Sequence, residues 1–201
     1  FNLFAYCANN PIMFSDPNGY KIQLSANATS AQRQEYARAI AYLSTSSTGK
    51  ALINKLTASK VTITIAFNKD FKDNYNATKR TINWDPTFGL VLGNKSSILS
   101  AALCLAHEMG HAAQHLDGYL KGKTTAQIEA NNLSKYEIPI ARQLGEFMRK
   151  NYGDATGPYR MLNSTDYGIV SYIYKSGYKN NNRWVYKPIV PYSIPKFISA
   201  R

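Results

Sequence analysis

The chain has 201 residues, 44% of them hydrophobic, with only 8 prolines and 12 glycines. That excludes a disordered chain and predicts one folded unit with a proper core and a short appendage. Lysine plus arginine outnumber aspartate plus glutamate by 24 to 12, a formal charge of +12. The basic residues are dispersed, so the excess fits a merely solvated surface as well as an acidic partner, a nucleic acid or an anionic membrane. Cys7 and Cys104 are too few for a disulfide framework or a thiolate metal site, and Cys104, in an apolar run, is expected to be buried and inert. The longest apolar run, 98–106, is too short to span a bilayer. No signal peptide opens the chain, and Phe1-Asn2-Leu3 reads as the middle of a longer polypeptide.

In chain order, residues 1–20 hold the turn signals Asn10-Pro11 and Asp16-Pro17-Asn18-Gly19 around short aromatic stretches. Thr29 or Ser30 can cap a helix to about Leu43, with Tyr36, Ile40 and Leu43 on one face. A short helix follows at 50–56. The alternating β-branched run 61–67 predicts a strand, and Thr81-Ile82-Asn83-Trp84 another, stopped by Asp85-Pro86. Ser97 or Ser100 can cap a helix to about Leu116, ended by Asp117-Gly118. Residues 119–127 read as a loop, 137–150 as a helix with Pro139 in its first turn, and the last fifty residues as loops and short strands.

The three histidines of the chain are His107, His111 and His115, and four of its five glutamates (Glu108, Glu129, Glu137, Glu146, but not Glu35) fall between 107 and 146. His107 and His111 are four apart, so a helix places both imidazoles on one face, where they can grip one Zn²⁺. Glu108 lies beside the first of them and can take a proton from water that attacks a carbonyl, the chemistry of His-Glu-Xaa-Xaa-His. The small residues Gly110 and Ala112 leave room for backbone or metal close by. A metzincin would need Gly and His where Gln114 and Asp117 stand. His115, two turns beyond His107, cannot reach the same ion from a straight helix.

That leaves a carboxylate from a second helix. Glu137 is the choice, because Ile140, Ala141 and Leu144 mark its face as the inner one. Asp117 is the alternative ligand, and Glu129 and Glu146 compete but read as ordinary solvated glutamates. Tyr152, Tyr159, Tyr167 and Arg160 are open candidates for an oxyanion donor. The strand 81–84 is a candidate edge for an extended substrate, and Asp85 a candidate partner for a metal-ligating histidine.

Two resemblances extend this reading. Asn2-Leu3-Phe4-Ala5-Tyr6, Asn9-Asn10-Pro11 and Asp16-Pro17-Asn18-Gly19 resemble the end of the Rhs-repeat-associated core domain, a β-shell cage followed by a variable C-terminal toxin. Asp16 matches an aspartate of the motif near which such cores often cut themselves. The stretch from about 40 to 152 is similar to the metallopeptidase family of type III secreted effectors that cleave host MAP kinases. The residues that carry the likeness are Tyr42-Leu43-Ser44, Gly49-Lys50-Ala51-Leu52, Trp84-Asp85-Pro86, Leu105 through Ala112, Asn132 through Glu137, and Arg142-Gln143-Leu144-Gly145-Glu146. The resemblance implies an α+β, zincin-like fold with the motif helix packed on a small mixed sheet and a second ligand-bearing helix. It implies Zn²⁺ on His107, His111 and Glu137, with Glu108 as base; no kinase target is implied for this chain.

Together the resemblances divide the chain into the tail of an Rhs-type carrier at 1–20 and a toxin metallopeptidase at 21–201. Such a toxin, secreted or translocated from a bacterium, acts on a target-cell protein in the cytosol, with a possible immunity protein as partner. The competing readings are a metal-dependent nuclease or other hydrolase toxin, suggested by the charge, and a binding module with structural zinc. The first lacks a cluster of hard carboxylates for Mg²⁺, and the second needs a fourth protein ligand.

Overall fold

A computed structural model describes residues 22–169, together with the backbone of two short strands at 179–180 and 183–184. The expectations for residues 1–20 and for most of the last thirty lie outside the described residues.

The fold is mixed α+β. Strand β1 (Ile22–Leu24) leads to helix α1 (Ser30–Leu43). Thr29 caps α1 by accepting from the Gln32 amide, while the Gln32 side chain accepts from the Thr29 amide in return. Helix α2 (Ser47–Thr57) is capped by Ser46, and β2 (Ile63–Phe67) follows with Ile63 and Ile65 facing inward, the alternation a half-buried strand requires. Strands β3 (Asn74–Asn76) and β4 (Thr81–Trp84) complete a four-stranded sheet in the order β1-β2-β4-β3; β1, β2 and β4 run parallel and β3 runs antiparallel to β4. The strand 81–84 is therefore interior, and the free edge beside the motif helix is β3. That corrects the expectation of an edge at 81–84: hydrophobic alternation identifies a strand but not its neighbours.

Strands β5 (Phe88–Leu92), β6 (Ser97–Leu99), β7 (Ala155–Arg160) and β8 (Gly168–Ile169) form a second, antiparallel sheet in the order β7-β5-β6-β8. The strands β9 (Lys179–Asn180) and β10 (Arg183–Trp184) pair with each other.

Helix α3 (Ala101–Leu116) carries the motif and is the central element, buried on nearly every side from Ala101 to Gln114. Its five alanines let α1, α2 and β4 approach closely, and the buried Trp84 indole donates to the Ala101 carbonyl at 2.8 Å. Its start is fixed twice over. The Ser100 hydroxyl accepts from the Leu103 amide, and Glu146 accepts from both the amide and the hydroxyl of Ser100 at 2.8 and 2.7 Å. Glu146 is only 6% exposed, not the solvated glutamate expected.

After the loop comes α4 (Thr125–Asn132), which the sequence reading missed, then one π-helical turn (Leu133–Glu137) running directly into α5 (Ile138–Leu144). The predicted helix 137–150 thus begins earlier and ends at Gly145, whose φ of 73° is the left-handed cap that glycine tolerates.

Candidate metal site and cleft

Helix α3 sets His107 and His111 one turn apart, and their Nε2 atoms converge to 3.1 Å. The carboxylate that meets them is that of Glu129 on α4, its Oε2 at 3.3 Å from His107 Nε2 and 3.4 Å from His111 Nε2. His107, His111 and Glu129 are the group of side chains among the described residues that could hold a metal ion.

Glu137 does not join them. Its Oε2 lies 2.7 Å from Nδ1 of His107, on the opposite side of the ring from Nε2, and both its oxygens bind the Arg149 guanidinium. The His107 ring therefore stands between two carboxylates, with Glu129 on the ligand side and Glu137 on the orienting side. The sequence correctly points Glu137 inward, but inward is a direction that both nitrogens of one imidazole satisfy. Asp117 is half-exposed at the end of α3 and paired with Lys55 at 2.5 Å and Lys135 at 3.6 Å. His115 Nδ1 is 2.7 Å from the Tyr75 hydroxyl. Asp85 accepts from the Thr87 amide and hydroxyl and from the Phe71 amide, and orients no histidine.

The hydrogen bonds fix the tautomers. Gln114 Nε2 donates to the Ile128 carbonyl and to Asn131 Oδ1, which leaves Gln114 Oε1 to face His111 Nδ1 at 2.9 Å. An acceptor there requires the proton on Nδ1. His107 Nδ1 likewise faces the Glu137 carboxylate; Arg149 Nη2 is 3.1 Å from the same nitrogen, but it is a donor whose hydrogen goes to Glu137. Both Nε2 atoms then present lone pairs to each other and to Glu129 Oε2, itself buried with no satisfied hydrogen bond. Three acceptors converging within 3.4 Å repel unless a cation lies among them, so the residues present fit a metal.

With protons as the only cations, the same convergence shifts the site's pKa values. Burial alone would push that of His107 down, yet the hydrogen bonds to Glu129 and Glu137 raise it to about 9. Burial would raise both carboxyls, but Glu129 is held down at about 2 by the two histidines, and Glu137 at about 2 by Arg149 and His107.

Glu108 is 8% exposed, and burial raises its pKa, opposed by the two histidines and by the hydrogen bond from the Tyr75 amide on β3. It lines a cleft of about 240 Å³ together with His107, Asp73, Phe71, Arg149 and Tyr152. Of the four oxyanion candidates, Tyr152 stands on the site, its ring stacked 6.0 Å from that of His107 and 5.4 Å from the Arg149 guanidinium. Cys104 also lines the cleft, where burial keeps its thiol well above the usual range and so protonated.

Sequence reasoning missed Arg149; it named Gln114 only as a departure from the metzincin pattern and Asn132 only within a stretch that carries the family likeness, and gave neither a role at the site. Asn132 donates from Nδ2 to the His107 carbonyl at 2.9 Å, and a Cβ on Gly110 would meet its Oδ1 at 1.9 Å, so Gly110 makes room for this side chain. The signal available was a buried-side polar residue on a helix facing the motif.

Fold and site together define an α+β protein with a His-Glu-Xaa-Xaa-His metal-type site open to a cleft. Residues 21–150 match the family model Peptidase_M91, described as effector protein, and the chain belongs to this peptidase effector family. No curated protein and no solved structure matches the chain. Among the described residues, no helix is long and apolar enough to cross a membrane.

Proposed function

We propose that the chain is a zinc endopeptidase of zincin-like type, acting as a bacterial toxin or effector on a protein of the cell it enters. The observation that carries this reading is the convergence of His107 Nε2, His111 Nε2 and Glu129 Oε2 beside Glu108 in an open cleft. His107, His111 and Glu129 would hold the ion, in place of the set with Glu137. A zinc ion there supplies Lewis acidity, lowering the pKa of water toward about 7 and polarising a substrate carbonyl.

The protein's own groups do the rest. Glu108 takes the proton of the attacking water and passes it to the departing amine; its burial, which raises its proton affinity, suits both roles. Glu137, clamped by Arg149, holds the His107 ring and fixes its tautomer, and Gln114 does the same for His111. The Tyr152 hydroxyl donates to the carbonyl oxygen as it becomes negative.

A structural zinc site is closed by four protein ligands. His115 and Asp117, the two residues that could have closed this one, are engaged elsewhere. The Rhs-type carrier, an immunity partner and action in the target-cell cytosol remain part of the proposal through residues 1–20 and the effector family. Metal analysis of wild type and Glu108→Ala, paired with a search for new protein N-termini in cells expressing each, tests the reading. One zinc per chain in both, with new N-termini only in the wild type, is the expected result. Proteolysis retained by Glu108→Ala rejects the mechanism.

A further inference from the structure

Asp73 lies in the loop between β2 and β3 and lines the same cleft as Glu108 and Tyr152. The loop is tied to Asp85 in both directions. The Phe71 amide donates to Asp85 Oδ2 at 3.4 Å, and the Asp85 amide donates to Asp73 Oδ1 at 2.8 Å. Asn68 Nδ2 is a second donor to Asp73 Oδ1, at 3.3 Å. Oδ2 of the same carboxyl is buried and has no hydrogen-bond partner. The other carboxylate oxygen left in this state is Glu129 Oε2, which a cation among the histidines accounts for; Asp73 belongs to no group of metal ligands among the described residues. An ionised Asp73 would bury a bare acceptor and set a second negative charge against that of Glu108. The titratable groups that meet it are Asp85 after β4 and Glu108 and Cys104 on α3, with the exposed Asp70–Lys72 pair on its own loop. Burial raises the Asp73 pKa to about 7, against the two hydrogen bonds at Oδ1 and with the help of Glu108 and Asp85. Because Oδ1 already accepts twice, the proton of the neutral acid belongs on Oδ2, which then is a buried donor with no acceptor in the protein. The charge of Glu108 disfavours an anion as its partner. A neutral carbonyl oxygen fits, and every residue of a protein substrate carries one on its main chain.

We propose that Asp73 is a substrate-binding residue of the enzyme: as the neutral acid, it donates a hydrogen bond from Oδ2 to a main-chain carbonyl oxygen of the protein substrate. The proposal rests on the peptidase reading above, and its test separates the two. Zinc-loaded wild type, Asp73→Asn and Asp73→Ala are titrated with an N-acetylated dipeptide hydroxamate, whose hydroxamate group binds zinc and brings a peptide chain into the cleft. The same proteins are assayed on a peptide library. Asparagine keeps the acceptor that holds Asn68 and the Asp85 amide, and it carries a donor that does not ionise. Both measurements are made at about pH 6 and about pH 9, on either side of the Asp73 value. The ratio of wild type to Asp73→Asn cancels the pH dependence of the zinc and the hydroxamate, which the two proteins share. That ratio, in hydroxamate affinity, is expected to fall by about tenfold from the lower pH to the higher, as the wild type loses its donor. Asp73→Ala is expected to bind the hydroxamate about 2–12-fold more weakly than wild type at the lower pH, the worth of one hydrogen bond. A residue that only holds its loop gives a ratio independent of pH, and a carboxylate that accepts from the substrate gives a ratio that rises with pH; either result overturns the proposal, as does an Asp73→Ala that binds as tightly as wild type. In metal-free wild type, the ¹³Cγ signal of Asp73 is expected to titrate near neutral pH, and a carboxyl already ionised at about pH 5 overturns the proposal without recourse to zinc or activity. A wild type that binds zinc and shows the expected hydroxamate ratio but cleaves nothing overturns the peptidase reading instead.

Discussion

Exchanging each of the two carboxylates that flank His107 for alanine tests the proposal that Glu129 is a metal ligand and Glu137 a group that orients one. Glu137 is 2% exposed and holds Arg149, itself 6% exposed. Glu137→Ala strands a buried guanidinium, and breaking such a pair from one side costs about 3–5 kcal/mol. For a domain of this size each kcal/mol moves Tm by about 2–4 °C, so the metal-free variant is expected to melt roughly 6–20 °C lower. Its zinc affinity is expected to fall by about 10–100-fold, the usual effect of losing a group that orients a metal-bound histidine.

Glu129→Ala is expected to give the opposite pattern. The Glu129 carboxylate makes its contacts with His107 and His111 alone, at the rim of an open groove. Removing it takes one hydrogen-bond partner from the protonated His107 of the metal-free state but strands no guanidinium and leaves Glu137 in place, so Tm is expected to fall by less than in Glu137→Ala. Zinc affinity is expected to fall by more than about 100-fold, beyond the range for an orienting group. Thermal melts in chelator and zinc titrations against a competing chelator give the two numbers for each variant. Loss of zinc in Glu137→Ala with an unchanged metal-free Tm, together with zinc retained in Glu129→Ala, refutes the assignment and restores Glu137 as ligand.

Three further perturbations test other parts of the site. Tyr152→Phe is expected to lower kcat by about 10²–10³ with zinc content unchanged, the range for one lost oxyanion donor; an unchanged kcat removes Tyr152 from the reaction. Gly110→Ala places a methyl 1.9 Å from Asn132 Oδ1 and is expected to cost about 1–3 kcal/mol, as overpacking does, read by urea denaturation; Gly110→Ala in an Asn132→Ala background should cost less. Burial pushes the Glu146 carboxyl up to about 7 from 4.5, although its hydrogen bonds from Ser100 and Tyr42 offset part of this. The folded chain thus keeps a proton that the unfolded chain has released between pH 4.5 and 7. This contribution is fully present below 4.5 and declines as pH rises through 7, by on the order of 3 kcal/mol. Glu146→Gln is expected to flatten that decline in metal-free protein, and equal slopes for the two proteins exclude the effect.

The parts of this molecule legible in sequence are those set by local rules. Thr29 and Ser100, each one of two candidates, cap the helices expected there, the alternating run 61–67 contains β2, and the four-residue spacing of His107 and His111 puts their Nε2 atoms together. What was hidden depends on partners distant in sequence. Helix α4 carries almost no apolar periodicity (Thr125-Ala126-Gln127-Ile128-Glu129-Ala130), because much of one side faces a groove instead of the core. With no helix expected there, Glu129 read as a surface glutamate. Strand β5 pairs with β7, some sixty residues on, and β6 lies between β5 and β8, so the buried three-residue strand at Ser97–Leu99 rests on partners on both sides.

The π turn between α4 and α5 ties these observations to the chemistry. Glu129 and Glu137 are eight residues apart, and in an uninterrupted α-helix of 3.6 residues per turn they would diverge by about 80° around the axis. Only one of them could then face His107. A π turn accommodates one extra residue, so the spacing acts in phase like seven and leaves the two carboxylates within about 20° of one line. The turn spans Leu133–Glu137, between the two, and it follows directly on Asn132, whose amide grips the His107 carbonyl. The irregularity thus lets one stretch of chain supply three contacts to a single histidine: a carboxylate on the side of Nε2, a carboxylate at Nδ1 and a hydrogen bond to the backbone. Ser134 and Lys135, in the middle of the turn, are exposed, with Lys135 reaching out to Asp117 at 3.6 Å, while Leu133, Tyr136 and Glu137 are buried, so the phase that the turn sets is carried by its inner side.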